Sequence, residues 1–257
     1  MDKAEQLYLK GLSLFIGGLE ILSDVSMTVR PGELMALIGP NGAGKTSLFN
    51  CISGIYHPSQ GEILWADNNL AGTRASVAAR RGIARTFQHA ELFQQMTVLQ
   101  NLLIGRHIKT RSHFFSDAFF WGKTKSEEIR NREVVEEIID FLELGKYRKQ
   151  EASSLPYGVQ KIVGLGRALA MEPKLLLLDE PSAGMNRQEK EDLARFILRM
   201  KHEIGLSMVW VEHDMQMVGD LTDRITVLNF GTKIAEGTPE EVLNAPQVVE
   251  AYLGIKS

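Results

Sequence analysis

Two short stretches of this 257-residue chain carry side chains that could handle phosphate, and they lie far apart in the sequence. Residues 39–46 are Gly-Pro-Asn-Gly-Ala-Gly-Lys-Thr, which fits the pattern G-x-x-x-x-G-K-[ST]. The glycines allow the backbone to curl, so that successive N–H groups point at one anion. Lys45 would add a positive charge for the β- and γ-phosphates, and the Thr46 hydroxyl is suited to ligate Mg²⁺. The pattern therefore predicts a nucleoside triphosphate site.

The residues on either side of this phosphate loop give it the setting that such a site needs. Residues 34–38 form an apolar run typical of a buried strand, and residues 47–52 are typical of the first turns of a helix. That order brings the free N–H groups of a helix N-terminus to the phosphates. A glycine-rich turn with an incidental lysine is the alternative interpretation. The expected phosphate-binding residues are Gly39, Pro40, Asn41, Gly42, Ala43, Gly44, Lys45, Thr46 and Ser47.

The second stretch is an acidic pair, Asp179 and Glu180, that follows the apolar run 175–178. The carboxyl ends of parallel strands meet at one edge of a sheet, so this pair is expected near the phosphate loop. In phosphate-loop ATPases the metal needs a carboxylate and the attacking water needs a positioning group. We therefore predict that Asp179 ligates Mg²⁺ and that Glu180 polarises water. Taken alone, the stretch could equally be the end of a strand followed by a surface turn.

Composition limits the classes of protein to consider. Hydrophobic residues make up 44% of the chain and charged residues 24%, which is ordinary for a globular protein. The formal charge of −3 argues against nucleic acid as the main ligand. The single cysteine, Cys51, excludes a disulfide framework and indicates a reducing compartment. We find neither an apolar run long enough to span a bilayer nor the order of a signal peptide, so we expect a cytosolic or partner-held protein.

Apolar strands alternate with helices along most of the chain, which predicts an α/β fold with a mostly parallel sheet covered on both faces. An antiparallel pair of strands is expected at residues 7–15 and 21–29, before the phosphate loop. The middle of the chain, about residues 92–165, predicts a helical insert. Its main helix is expected at 125–144, with a capping box that starts at Thr124 and a stop at Gly145.

Several of these residues occur in an order that resembles the ATP-binding subunit of ABC transporters. After the phosphate loop come Gln88 at the end of a strand, the acidic pair, and His213 after another strand. The resemblance covers essentially the whole chain and implies one nucleotide-binding domain, residues 1–257. It implies that Gln88 contacts the metal or the water and senses the membrane partner, and that His213 hydrogen-bonds the γ-phosphate. Residues 182–186 resemble the family's loop across the dimer interface.

Within this family, four segments resemble the ATPases of branched-chain amino acid importers, and in particular the longer of the two ATPases. These segments are residues 85–89, 113–121, 183–186 and 249–254. This implies partners: a second ATPase subunit (identical or a sister), two transmembrane permeases and an external solute-binding protein, without nucleic acid. It also places the chain on the cytoplasmic face of the membrane. The aromatic residues in 114–121 would either pack the insert or dock on a permease. The ATPase of a urea- or amide-type importer is the second interpretation, and a soluble ABC ATPase acting on nucleic acid is the third.

The chain departs from the family pattern in two places. The signature segment, residues 155–159, is Leu-Pro-Tyr-Gly-Val instead of Leu-Ser-Gly-Gly-Gln, and the proline removes both a hydroxyl and an N–H. Tyr157 and Gly158, with the following helix N-terminus, would still contact the ATP of the partner subunit. Ile16 stands where the family usually places the aromatic residue that stacks on adenine. Phe15, one position earlier, is the candidate for that contact.

Overall fold

The structure is a computed structural model, which describes residues 6–66, 68–86, 91–109 and 121–253, with only the backbone of 121–126. The strands are β1 Leu7–Ile16, β2 Leu19–Val29, β3 Leu34–Ile38, β4 Gln60–Trp65, β5 Asn68–Asn69, β6 Ile83–Arg85, β7 Leu175–Asp179, β8 Ser207–Val211, β9 Arg224–Asn229 and β10 Thr232–Gly237. The α-helices are α1 Lys45–Ile52, α2 Ala75–Arg80, α3 Val98–Gly105, α4 Trp121–Phe141, α5 Tyr157–Leu169, α6 Arg187–His202, α7 Met215–Leu221, α8 Pro239–Leu243 and α9 Pro246–Leu253. Single turns of 3₁₀ helix lie at Arg106–Lys109, Gly145–Tyr147 and Ala152–Ser154.

The main sheet has six strands in the order β10-β9-β3-β8-β7-β6. All neighbouring pairs are parallel except β10 and β9, which confirms the mostly parallel sheet. Strands β3, β7 and β8 are buried along their whole length, as expected where both faces of a sheet are covered. Their carboxyl ends lie at one edge. The phosphate loop follows β3, the acidic pair lies at the end of β7, and His213 comes soon after β8. These predicted site residues therefore lie at the same edge of the sheet.

A second, antiparallel sheet has the order β2-β1-β4-β5 and contains the predicted strand pair. Its apolar side packs on α1, the helix after the phosphate loop, and on one face of the main sheet. Buried residues of β1, β2, α1, β7 and β8 form one hydrophobic cluster there. Cys51 on α1 is buried in this cluster, and burial raises the pKa of its thiol to about 12. Cys51 therefore packs α1 against the sheets rather than doing chemistry.

The opposite face of the main sheet is covered by α3, α4, α5 and α6, whose buried residues form a second cluster with β7 and β8. The predicted start and end of α4 are wrong. The helix begins at Trp121, so Thr124 lies inside it rather than at its cap. It ends at Phe141, ahead of Gly145, because Leu142 and Leu144 turn into the core and Glu143 between them adopts a left-handed φ of +57°.

The C-terminal part contains the predicted hairpin of β9 and β10 and the short helix α8. Two further helices, α7 and α9, were not predicted, since each is too short to show a clear apolar period. Helix α9 packs through Val248 into a small cluster that includes Ile38, the last residue of β3. Within the described ranges, every helix is too short or too polar to cross a lipid bilayer.

Candidate functional site

The phosphate loop connects β3 to α1 through a backbone that only glycine adopts easily. Gly39, Gly42 and Gly44 have φ values of +149°, +80° and +101°. A Cβ added at Gly39 would lie 2.1 Å from the carbonyl oxygen of Leu228, so a side chain there would collide with the backbone of β9. The loop is closed by a hydrogen bond of 3.1 Å from the Ala43 N–H to the Pro40 carbonyl. The predicted loop conformation and its setting between strand and helix are thus present.

Lys45, the first residue of α1, folds its side chain back over the loop. Its Nζ donates to the carbonyl oxygens of Gly39 at 2.6 Å and Pro40 at 2.9 Å, and the residue is 6% exposed. Burial lowers the pKa of this ammonium, and the charges of Glu180 and Asp179 partly oppose that effect. The lysine and the acidic pair therefore share one electrostatic environment, although well over a hundred residues separate them in the sequence.

Asp179 is held at the end of β7 by a buried ion pair. Its Oδ2 accepts from Nη2 of Arg85 at 2.6 Å, and the two side chains are 7% and 8% exposed. The other arm of the guanidinium, Nη1, donates to Oδ1 of Asn50 on α1, also at 2.6 Å. The Thr86 hydroxyl lies 3.2 Å from the Asp179 N–H and accepts from it. One arginine at the end of β6 thus joins the helix of the phosphate loop to the predicted metal ligand.

The ion pair of Arg85 with Asp179 was not predicted from the sequence, in which Arg85 stands out only as part of the segment 85–89. The sequence places Arg85 in the strand that leads to Gln88, but only the structure shows that this strand lies beside the one that ends in Asp179. Gln88 itself lies outside the described residues, as do residues 110–120 of the aromatic segment.

Glu180 and His213 meet at the same edge. Oε1 of Glu180 accepts a hydrogen bond of 2.9 Å from Nε2 of His213. Glu180 has a left-handed φ of +47°, which is costly for a residue with a side chain. Its N–H donates to the carbonyl of Val211 at 3.0 Å, so the end of β8 holds the strained turn. The two predicted catalytic residues that the structure describes are therefore in direct contact.

The signature segment leads into α5, with Pro156 at the N-cap position. The Tyr157 side chain is largely exposed, whereas Gly158 is buried against α6. A Cβ on Gly158 would lie 2.3 Å from Oε1 of Glu189, the residue that completes the capping box of α6 with Asn186. Tyr157 is thus presented at the surface while Gly158 fixes the approach of α5 to α6.

Phe15 lies near the end of β1 and is 45% exposed, as is the neighbouring Ile16 at 43%. The Phe15 N–H donates to Oγ of Ser59 at 3.0 Å, which ties this end of β1 to the start of β4. Both apolar side chains are therefore partly exposed to solvent. The contact of Phe15 with adenine stays a prediction.

The residues predicted to hold Mg²⁺ fit that ion in chemistry. Thr46 is exposed in the first turn of α1, and Asp179 lies at the end of β7. A hydroxyl and a carboxylate are hard oxygen donors, which Mg²⁺ prefers, and the ion usually takes few protein ligands beside phosphate oxygens. The link through Arg85 and Asn50 shows that the elements bearing Thr46 and Asp179 are neighbours.

Comparison with known proteins places the geometry in a family. A model of the ABC transporter family matches residues 22–183, and a model described as branched-chain amino acid ATP-binding cassette transporter matches residues 232–255. The chain is 40% identical over 251 residues to the high-affinity branched-chain amino acid transport ATP-binding protein LivG of Escherichia coli K12, which covers 96% of this chain and 97% of the relative. It is 37% identical to the corresponding protein BraF of Pseudomonas aeruginosa, with the same coverage. The solved ADP conformation of an ATP-binding cassette of an ABC transporter superimposes with a TM-score of 0.85 at 32% identity, covering 98% of this chain and 99% of the other.

Proposed function

The chain belongs to the ABC transporter family, and from that membership we propose that it is the ATP-binding and ATP-hydrolysing subunit of an importer of branched-chain or other hydrophobic amino acids. The observation that carries the proposal is the meeting of Lys45, Asp179 and the Glu180–His213 pair at one sheet edge. The names of LivG and BraF favour this function over a urea-type importer. They likewise favour transport over action on nucleic acid.

Each residue has a distinct task in this mechanism. The N–H groups of residues 39–47 and the Lys45 ammonium hold the β- and γ-phosphates. Thr46 and Asp179 would hold Mg²⁺, which when bound neutralises charge on those phosphates. Glu180 orients the attacking water and accepts its proton, while His213 holds the Glu180 carboxylate on one side and contacts the γ-phosphate on the other.

Two such subunits would enclose two ATP molecules, each bound by one subunit's phosphate loop and the other's signature segment. Residues 1–257 act as one nucleotide-binding domain with residues 92–165 as its helical insert. The γ-phosphate favours the closed pair because signature donors reach it only on closure, and a ligand drives a conformational change only through such a difference in affinity. Two permease subunits carry the motion into the membrane, and an external binding protein delivers the solute. The chain itself would bind at the cytoplasmic face.

Transport by the assembled complex tests the proposal. The chain would be reconstituted in liposomes with a second ATPase subunit, two permeases and a solute-binding protein, with ATP on the side of the ATPases. We expect ATP-dependent accumulation of labelled leucine, and a background level when Lys45→Ala replaces the wild type. Accumulation of urea but not leucine, or co-purification with nucleic acid instead of permeases, would contradict it.

The altered signature predicts that the two ATP sites of a mixed pair differ. With Pro156 in the signature segment, one hydrogen bond to the partner's γ-phosphate is absent, and a hydrogen bond to a charged group contributes about 1.5–3 kcal/mol. An equimolar mixture with a sister ATPase that carries the serine should therefore hydrolyse ATP about ten-fold faster per subunit than this chain alone. Pro156→Ser in the chain alone should recover part of the difference. Equal rates per subunit would count against the asymmetry.

A further inference from the structure

A buried lysine on α5, the helix that follows the signature segment, contacts the main chain of Glu180. Lys161 lies one turn into α5 and is 7% exposed. Its Nζ donates a hydrogen bond of 3.2 Å to the main-chain carbonyl of Glu180. Glu180 has a left-handed φ of +47°, so the lysine binds directly at a strained turn. Lys161 is neither one of the predicted phosphate-binding residues nor one of the predicted metal ligands.

The same ammonium contacts the part of the chain that would face the partner's ATP. It lies 5.5 Å from the centre of the Tyr157 ring, a cation–π distance. The ring in turn lies against Gly184, where an added Cβ would be 2.9 Å from Cε1 of the tyrosine. Tyr157 therefore has little room to move toward residues 182–186 without displacing them. The Tyr157 ring thus lies between Gly184 and the Lys161 ammonium.

The charge around Lys161 explains why a lysine is tolerated in this buried position. Burial lowers the pKa of its ammonium, while Glu212, Glu180 and Asp179 act in the opposite direction. Glu212 precedes His213 and is 3% exposed. Its Oε1 accepts from the His213 N–H at 2.8 Å, and within the described part of the chain its Oε2 has no hydrogen-bond partner. A buried carboxylate needs a compensating charge, and Lys161 is a cation that supplies it.

We propose that Lys161 is a positioning residue that couples contact of Tyr157 and Gly158 with the partner's ATP to the placement of Glu180 in its own site. The inference rests on the proposed function, since it needs both the hydrolysis at Glu180 and the paired arrangement. Movement of α5 on closure changes the Nζ–carbonyl contact, and with it the direction of the Glu180 side chain. The rate of hydrolysis in each site thereby depends on whether the other site holds ATP.

The test uses the assembled transporter complex and compares three variants. Lys161→Met keeps the length of the side chain but removes its charge and its hydrogen bond. We expect kcat for ATP hydrolysis to fall about ten-fold or more, with KM for ATP within two-fold, because the Lys161 hydrogen bond goes to the Glu180 carbonyl. Lys161→Arg, which retains a cation and donors, should recover most of kcat.

The matched control is Lys201→Met. Lys201 on α6 is also largely buried and pairs with an acid, Asp223, at 2.6 Å, but beside Leu34 at the opposite edge of the main sheet. We expect its kcat to stay within two-fold of the wild type. A loss of kcat in Lys201→Met equal to that in Lys161→Met would overturn the inference.

A double variant separates positioning from stability. Lys161→Met leaves Glu212 buried without its cation, so its melting temperature should fall, and Lys161→Met/Glu212→Gln should restore it. The inference requires kcat to remain low in the double variant, since the Glu180 carbonyl keeps the Ala183 N–H at 3.2 Å but still lacks the Lys161 ammonium. Recovery of kcat together with the melting temperature, or an unchanged kcat in Lys161→Met, would overturn it. Failure of the proposed function appears instead in the wild-type complex, as absence of ATP hydrolysis.

Discussion

Glu180→Gln is expected to lower kcat for ATP hydrolysis by two or more orders of magnitude while ATP binding survives. The amide keeps the size of the side chain and can still contact Nε2 of His213, so the turn at the end of β7 should be retained. It cannot accept a proton from water, and loss of a general base typically costs about 10²–10⁴ in rate. ATP would then hold the two subunits closed. The expected species is an ATP-bound dimer that does not turn over.

Three measurements check this outcome. Binding of a fluorescent ATP analogue should give a dissociation constant within about three-fold of the wild type, since the lost interaction acts on the attacking water rather than on bound ATP. Size-exclusion chromatography with ATP and Mg²⁺ should show the dimer, and phosphate release should be nearly absent. Glu143→Gln is the matched control, because Glu143 also has a left-handed φ, +57°, but lies on the surface with Arg195. Retained hydrolysis in Glu180→Gln would remove Glu180 from the mechanism.

The parts of the site that sequence alone could predict are those encoded in short, contiguous patterns. The phosphate loop needs glycines, a lysine and a threonine in fixed order, and the acidic pair needs an apolar strand directly before it. Both patterns describe local structure, and the parallel sheet then brings their strand ends to one edge. His213 was predicted from family order, and its contact with Glu180 follows from the neighbouring positions of β7 and β8.

The parts that sequence could not predict depend on which elements pack together. Arg85 matters because β6 is the neighbour of β7, and Lys161 matters because α5 crosses the end of β7. No local pattern around either residue indicates those neighbours. The error at the end of α4 has a similar cause. Gly145 is a common helix stop, but burial of the two leucines on either side of Glu143 ended the helix earlier.

Lys45→Met is expected to weaken ATP binding by about 100-fold or more, which corresponds to about 2.7 kcal/mol. The wild-type ammonium lies over the loop on the carbonyls of Gly39 and Pro40, close to the charges of Asp179 and Glu180. Without it, two carboxylates face a polyanionic ligand with no fixed cation from α1 between them. Lys45→Arg should not rescue binding, because a planar guanidinium cannot replace the compact ammonium that donates to the carbonyls of Gly39 and Pro40.

Binding of ATP by isothermal titration calorimetry, with and without Mg²⁺, measures this loss. The control is Lys190→Met, which removes a half-exposed lysine paired with Asp214 at 2.8 Å and should leave the dissociation constant within two-fold. The melting temperature of Lys45→Met should stay near that of the wild type, because the ammonium is held by loop carbonyls rather than by the core. If affinity for ATP persisted in Lys45→Met, residues 39–46 would be a structural turn, and the nucleotide would have to bind elsewhere on the chain.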